Sequence, residues 1–133
     1  MISLDYGETL TIHSDVAVRT LVFTSSDDLA GGGTIQVDDG HRLQIYDTFV
    51  FGRGTIAGNA IVSANGTTYF SDEADKVLGE GIRLVNTGNM SLDEGNVIFR
   101  GGSLINYGRF DITSPSSDMK FSDATYYFSS TSR

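Results

Sequence analysis

Asp38-Asp39-Gly40-His41-Arg42 gathers residue types suited to acid–base chemistry into five consecutive positions. Paired carboxylates can serve as acid and base on a sugar bond, provided they flank it from two sides. Neighbours on one stretch of backbone cannot converge in that way. The segment therefore reads as an acidic turn between a strand at Thr34–Val37 and another at Leu43–Tyr46.

The remaining polar motifs are also weak. Acidic doublets recur at Asp27-Asp28, Asp72-Glu73 and Asp93-Glu94, and carboxylate oxygens are calcium ligands. The calcium-binding nonapeptide of solenoid repeats needs Gly-Gly-x-Gly-x-Asp, however, and Gly31-Gly32-Gly33-Thr34 breaks it at the fourth position. Solvated turns are the expectation. His13 and His41, the only histidines, lie far apart and have no metal-ligand spacing. There is no cysteine for a disulfide or a thiolate zinc site. No Gly-x-Ser-x-Gly occurs, and Gly52-x-Gly54 and Gly79-x-Gly81 lack the third glycine of a dinucleotide loop. Asn65-Gly66-Thr67 and Asn89-Met90-Ser91 fit the N-glycosylation pattern, at a frequency that composition alone explains. No catalytic residue, cofactor or metal is expected.

The elements that would position any site are marked by glycine. The 133 residues include 16 glycines and one proline. Gly81, Gly88, Gly95, Gly102 and Gly108 follow one another at steps of 7, 7, 7 and 6. Between them lie short runs rich in Val, Ile, Leu and Phe. The pattern predicts short strands joined by turns in which glycine supplies a positive φ. A longer period is superimposed. Leu84-Val85-Asn86-Thr87-Gly88 returns 20 residues later as Leu104-Ile105-Asn106-Tyr107-Gly108, with Met90 then matching Phe110 and Leu92 matching Ile112. A fainter copy lies upstream: Val62 matches Leu84, Gly66 matches Gly88, Thr68 matches Met90 and Phe70 matches Leu92. Residues 71–78 read as a loop bulging from this repeat.

Three strands of about seven residues make a coil of about 20. This predicts an all-β parallel β-helix, or β-solenoid, of roughly six coils. An antiparallel sandwich or barrel is the alternative. Residues 1–133 form a single domain on this reading, expected to be a segment of a longer chain. Alternation places Leu84, Met90, Leu92, Val97, Phe99, Leu104, Phe110 and Ile112 in the core, with Ile35, Val37, Leu43, Ile45, Phe49, Phe51, Ile56, Val62 and Phe70 as upstream equivalents. Asn86 and Asn106 fall at one place in consecutive coils and predict a structural ladder of side-chain amides. Val85 and Ile105 face outward and would stack into a small apolar stripe, a possible contact surface for another chain.

The run GIRLVNTGNMSLDEGNVIFRGGSLINYGRFDIT, with its repeated L-(V/I)-N-x-G and following short strand, resembles the repeats of large cell-surface β-helix proteins: autotransporter passengers and filamentous-haemagglutinin-type adhesins. The resemblance is one of pattern over about residues 31–121. It implies an extracellular, rod-like, structural or adhesive role and carries over no functional residue.

A formal charge of −8 without a basic cluster disfavours nucleic acid as a partner, and no apolar run approaches the length of a membrane helix. The expected function is a non-catalytic structural or adhesive module of an extracellular or cell-surface protein, fibre or appendage. Its partners would be protein, either flanking coils or neighbouring subunits. The alternative is a carbohydrate-binding or carbohydrate-active β-helix, in which Tyr46, Tyr69, Tyr107, Tyr126 and Tyr127 could stack on sugar rings.

Overall fold

The computed structural model describes residues 2–3, 7–24, 32–113, 118–122 and 125–128, with side chains described for 7–24 and 32–113. Its elements, all strands, are β1 (Ile2–Ser3), β2 (Thr9–Ile12), β3 (Val16–Thr24), β4 (Thr34–Val37), β5 (Arg42–Phe51), β6 (Gly54–Ala57), β7 (Ile61–Ala64), β8 (Thr67–Phe70), β9 (Lys76–Leu78), β10 (Arg83–Asn86), β11 (Asn89–Leu92), β12 (Asn96–Arg100), β13 (Ser103–Asn106), β14 (Arg109–Ile112), β15 (Asp118–Ser122) and β16 (Thr125–Phe128). Each described pairing is parallel, between a strand and its equivalent one turn away. The chain is a β-solenoid, and the antiparallel alternative is excluded.

Three faces make each turn. Face I is β2, β4, β6, β9, β12 and β15. Face II is the first half of β3 and of β5, followed by β7, β10, β13 and β16; face III is β1, the second halves of β3 and β5, then β8, β11 and β14. About five full turns result, rather than six, with strands of a further turn on each side. At about 4.8 Å per strand the five turns stack to roughly 25 Å. In the first turns β3 and β5 run unbroken from face II to face III. Their register shifts between Val18 and Thr20, where Arg19 extends to Asp47 at 3.3 Å.

The repeats seen in the sequence are the register. Leu84 pairs with Leu104, Val85 with Ile105 and Asn86 with Asn106; Met90 pairs with Phe110 and Leu92 with Ile112. The upstream echo holds too, with Val62 beside Leu84 and Thr68 beside Met90. Of the expected core, every residue but one is buried. Rings of Phe23 and Phe51 stack at 5.3 Å, and Phe70 and Phe110 at 6.2 Å. Ile112 is the exception. It has the inward parity of Leu92, yet it lies on β14, which has no described strand beyond it, and it is 51% exposed.

Two expectations are corrected. Residues 76–78 are not loop but β9, buried throughout and paired with β6 and β12; the loop is confined to the residues before it. The five spaced glycines do stand at corners, but only Gly81 and Gly95 have positive φ, of 85° and 71°. At the next-to-last corner position the positive φ belongs to Gly101 rather than Gly102. Gly88 and Gly108 serve another purpose. A Cβ on Gly88 would lie 1.9 Å from the Gly66 carbonyl oxygen, and one on Gly108 would lie 2.0 Å from that of Gly88. Those carbonyls accept the next turn's N–H groups, Gly66 O from Asn89 N and Gly88 O from Arg109 N, both at 2.9 Å. The corner between faces II and III is closed so tightly that backbone rests on backbone.

Two stability measurements follow. Gly88→Ala forces the stack apart at that corner and should lower the urea unfolding free energy by more than ~2 kcal/mol. Gly40→Ala, at a positive φ but with open space around the added Cβ, should cost about 1 kcal/mol. A loss at Gly88 no larger than that at Gly40 would show that the corner relaxes around an added Cβ and that the close approach is not what requires glycine there. Thr68 is fully buried on β8 with no partner for its hydroxyl. Thr68→Val should therefore raise the melting temperature, by the equivalent of about 1 kcal/mol.

Candidate binding groove

The corner between faces I and II in the first two turns brings together side chains that are remote in sequence. His13 Nδ1 lies 2.6 Å from an Asp38 carboxylate oxygen, and His41 Nδ1 lies 3.2 Å from Asp15. Each histidine thus reaches an aspartate one turn away, in reciprocal fashion. Gly40, at φ 78°, makes the turn that presents His41. Asp15 also accepts the backbone N–H of Arg42 at 3.0 Å. That hydrogen bond, followed by the one to His41, holds its carboxyl below the usual carboxylate range.

The acidic turn of Asp38–Arg42 is therefore a clasp between turns. Its carboxylates do not converge as an acid–base pair: Asp38 is drawn to His13, while Asp39 points to solvent. Sequence reasoning weighed His13 only as a metal ligand and missed Asp15 and both pairings, because the contacts span 25 and 26 residues, longer than the 20-residue echo that the later turns display. Among the described residues no group of three or more His, Asp or Glu side chains could hold a metal ion. Asp27-Asp28 and Gly31, considered for calcium, lie outside the described residues.

Beside the clasp an open groove of about 460 Å³ runs up face II, lined among others by Asp15, His41, Arg42, Gln44, Ile61 and Arg83. Its floor is a column of outward side chains. Arg42 pairs in register with Ile61, and Ile61 with Arg83. The two arginines thus stand two strand spacings apart, about 10 Å, with an isoleucine between them. A second column carries Gln44, Ser63, Val85 and Ile105. Val85 and Ile105 do stack, but both are half-buried, so the expected stripe is short and low. A third column follows the corner: Tyr46, Asn65, Thr87 and Tyr107. Gln44 donates to Asn65 at 3.1 Å, and Asn65 donates to Thr87 at 3.0 Å. Tyr46 and Tyr107, 48% and 64% exposed, flank this polar chain. Tyr69 is exposed on face III, and the side chains of Tyr126 and Tyr127 lie outside the described residues.

Under the same corner the ladder forms. Asn86 donates to the Asn106 side-chain carbonyl at 2.7 Å, and each amide oxygen accepts the N–H of the glycine two residues on, Gly88 at 3.1 Å and Gly108 at 3.2 Å. Asn86 and Asn106 are buried at 0% and 1% exposure, so these bonds satisfy groups that water cannot reach. The ladder stops at Ala64, the residue in register below Asn86.

A residue that the sequence reading passed over is Lys76. It sits fully buried on β9, at the inward parity of Val97 in the next turn. Its ammonium donates to the carbonyl of Asp72, to that of Ala74 at 2.8 Å and to that of Glu94 at 2.7 Å. Two corners in successive turns are thereby tied to one cation. Asp72 has a positive φ of 71°, and its side chain meets Arg53 at 3.4 Å. Burial pushes the Lys76 amine down to about 8, opposed by the nearby Asp72, Asp75 and Glu94 charges. A charged residue inside a hydrophobic period gives no signal in pattern reading, which scores it as loop.

No family model matches the chain, and neither curated proteins nor solved structures gave a match.

The depressed amine makes stability depend on pH. Between about pH 8 and pH 10.5 the unfolded chain binds more protons at Lys76 than the folded one. Stability contributed by this residue therefore rises with pH across that window, by at most about 3 kcal/mol. Lys76→Met removes the rise. It also strands three carbonyls, at a cost of roughly 1–3 kcal/mol near pH 7. Urea unfolding of both proteins at pH 7.5 and 9.5 checks the sign; a wild-type curve that falls over this interval while the variant's stays flat would refute it.

Proposed function

We propose that this chain is a non-catalytic structural or adhesive module of an extracellular or cell-surface protein, fibre or appendage. The observation that carries the reading is the in-register stack. Each turn repeats the backbone path of the one before, so that length can be added without a new core and one outward face is presented along the whole rod. Asp38 and His41, from the segment that first suggests catalysis, are engaged in holding turns together, Asp38 with His13 and His41 with Asp15, and Lys76 ties two turns through three carbonyls. The end of a solenoid is a row of unpaired strand edge groups, which accepts a further coil or another chain. Flanking coils or neighbouring subunits are accordingly the protein partners of this reading.

Carbohydrate binding is favoured as a second reading by face II, where an open groove, hydrogen-bonding amides and two exposed tyrosines occur together.

An antibody against the domain should label intact, unpermeabilised source cells or their extracellular fibres. Negative-stain images of the labelled parent should show rods. Labelling only after permeabilisation, or a compact parent particle, would count decisively against this role.

A further inference from the structure

We infer that the groove of face II binds an acidic polysaccharide, lying along the solenoid axis with its carboxylates on Arg42 and Arg83. The inference rests on the proposal of a surface module and supplies its ligand class.

The charge pattern is the first support. The chain has nine basic residues against seventeen acidic ones. Among the described residues Arg19, Arg53 and Arg109 are paired with aspartates, and Lys76 is buried in its carbonyl cage. Arg42 and Arg83 enter no described salt bridge, yet both are exposed and line one groove. The acidic side chain of that groove, Asp15, is already held by the Arg42 N–H and by His41. The groove thus brings together two guanidinium groups that enter no described salt bridge, Arg42 sharing its field with Asp15, whereas Arg100 stands alone on face I, and guanidinium binds carboxylate bidentately.

Shape and spacing select a glycan among anions. The groove is open along the stack and its volume, about 460 Å³, lies in the range of ligand sites, ~300–1,000 Å³. The arginines are about 10 Å apart in one column, a separation suited to a polymer that carries a carboxylate on every second ring. Between them Ile61 offers an apolar surface to an intervening sugar face. Gln44, oriented by its bond to Asn65 at 3.1 Å, offers polar atoms to ring hydroxyls. Tyr46, 48% exposed near the middle of the same strand β5 and two residues beyond Gln44, extends the platform sideways for a branch or a neighbouring strand. A nucleic acid would bring a denser and longer run of negative charge onto a chain of net charge −8, with two arginines to receive it.

The test uses hyaluronan oligosaccharides, which have the alternating carboxylate, against the same oligosaccharides after carboxyl reduction and against polyphosphate of similar length. Calorimetric titration of the full chain should give binding of the hyaluronan that weakens at least tenfold on carboxyl reduction. Polyphosphate should bind at least tenfold more weakly. Arg42→Gln and Arg83→Gln should each lose about tenfold, with melting temperatures unchanged because both side chains are exposed. Arg100→Gln, an exposed arginine on face I, should bind as wild type does. Absence of binding at millimolar ligand, equal binding of the reduced oligosaccharide or of polyphosphate, or equal losses in all three variants would overturn the proposal. None of those results bears on surface exposure or on rod formation, which the antibody and microscopy experiment reads separately.

Discussion

Parallel pairing in register between one turn and the next is the constraint on which everything else in this protein depends. It requires each position to tolerate its own equivalent above and below, at about 4.8 Å. Apolar side chains do so by stacking, and the buried columns from Leu43 through Val62 and Leu84 to Leu104 are the outcome. Polar side chains can do so only if they are both donor and acceptor. Asparagine is, which is why Asn86 and Asn106 can occupy inward positions at a corner, each bonding its own turn's glycine while one reaches the other. A threonine hydroxyl also donates and accepts, but Thr68 is lodged between Phe49 and Met90 in register, neither of which can pair with it, and its hydroxyl is left without a partner.

The corners solve a different problem, that of turning the chain without leaving buried backbone groups unpaired. Each of the three does it differently. Between faces I and II positive-φ glycines such as Gly40, Gly58, Gly81 and Gly101 reverse the curvature, and the first turns add the His–Asp clasps outside. Between faces II and III the backbone of one turn lies against that of the next, and only an absent Cβ permits the contact at Gly66, Gly88 and Gly108. Between faces III and I the connection from β8 to β9 is longer than those of β5 to β6 and β11 to β12, and there a buried ammonium collects the carbonyls that the loop exposes inward. The last solution is the most expensive, since a cation is kept out of water. It is also the one that accommodates an irregular acidic segment, Asp72 to Asp75, within an otherwise regular coil.

This division explains what was legible in the sequence. Where a corner repeats, its residues repeat, and Leu84–Gly88 against Leu104–Gly108 gave both the fold class and the register by simple comparison. The purpose of those glycines was not legible, because one letter stands for both a left-handed turn and a steric gap. Lys76 was hidden for the opposite reason: it is unique to its turn, and a lone cation among carboxylates looks like solvent-exposed loop. The first two turns resisted comparison because their spacing is longer. Leu43 pairs with Val16 across an insertion that the later turns lack, so the reciprocal contacts of His13, Asp15, Asp38 and His41 could not be aligned by eye. Face II was readable only in part. Tyr46 and Tyr107 stood out as candidate aromatics, but their membership of one corner column with Asn65 and Thr87 depends on knowing which residue stacks on which.

The same constraint separates the inside of the molecule from its outer face. Inward positions must match from turn to turn, so they carry architecture and little else. Outward positions escape that demand wherever solvent fills the space between side chains, and there the turns diverge: Arg42, Ile61, Arg83 and Ser103 share a column yet no chemistry. Folding thus leaves such a column free to vary, and its composition is available for function. Alternation of cation, hydrocarbon and cation in the groove of face II, on a chain with a net negative charge, is the arrangement that the proposed linear ligand with spaced negative groups would engage. The solenoid supplies what such a ligand needs, a fixed interval between successive side chains, and it does so through backbone pairing alone.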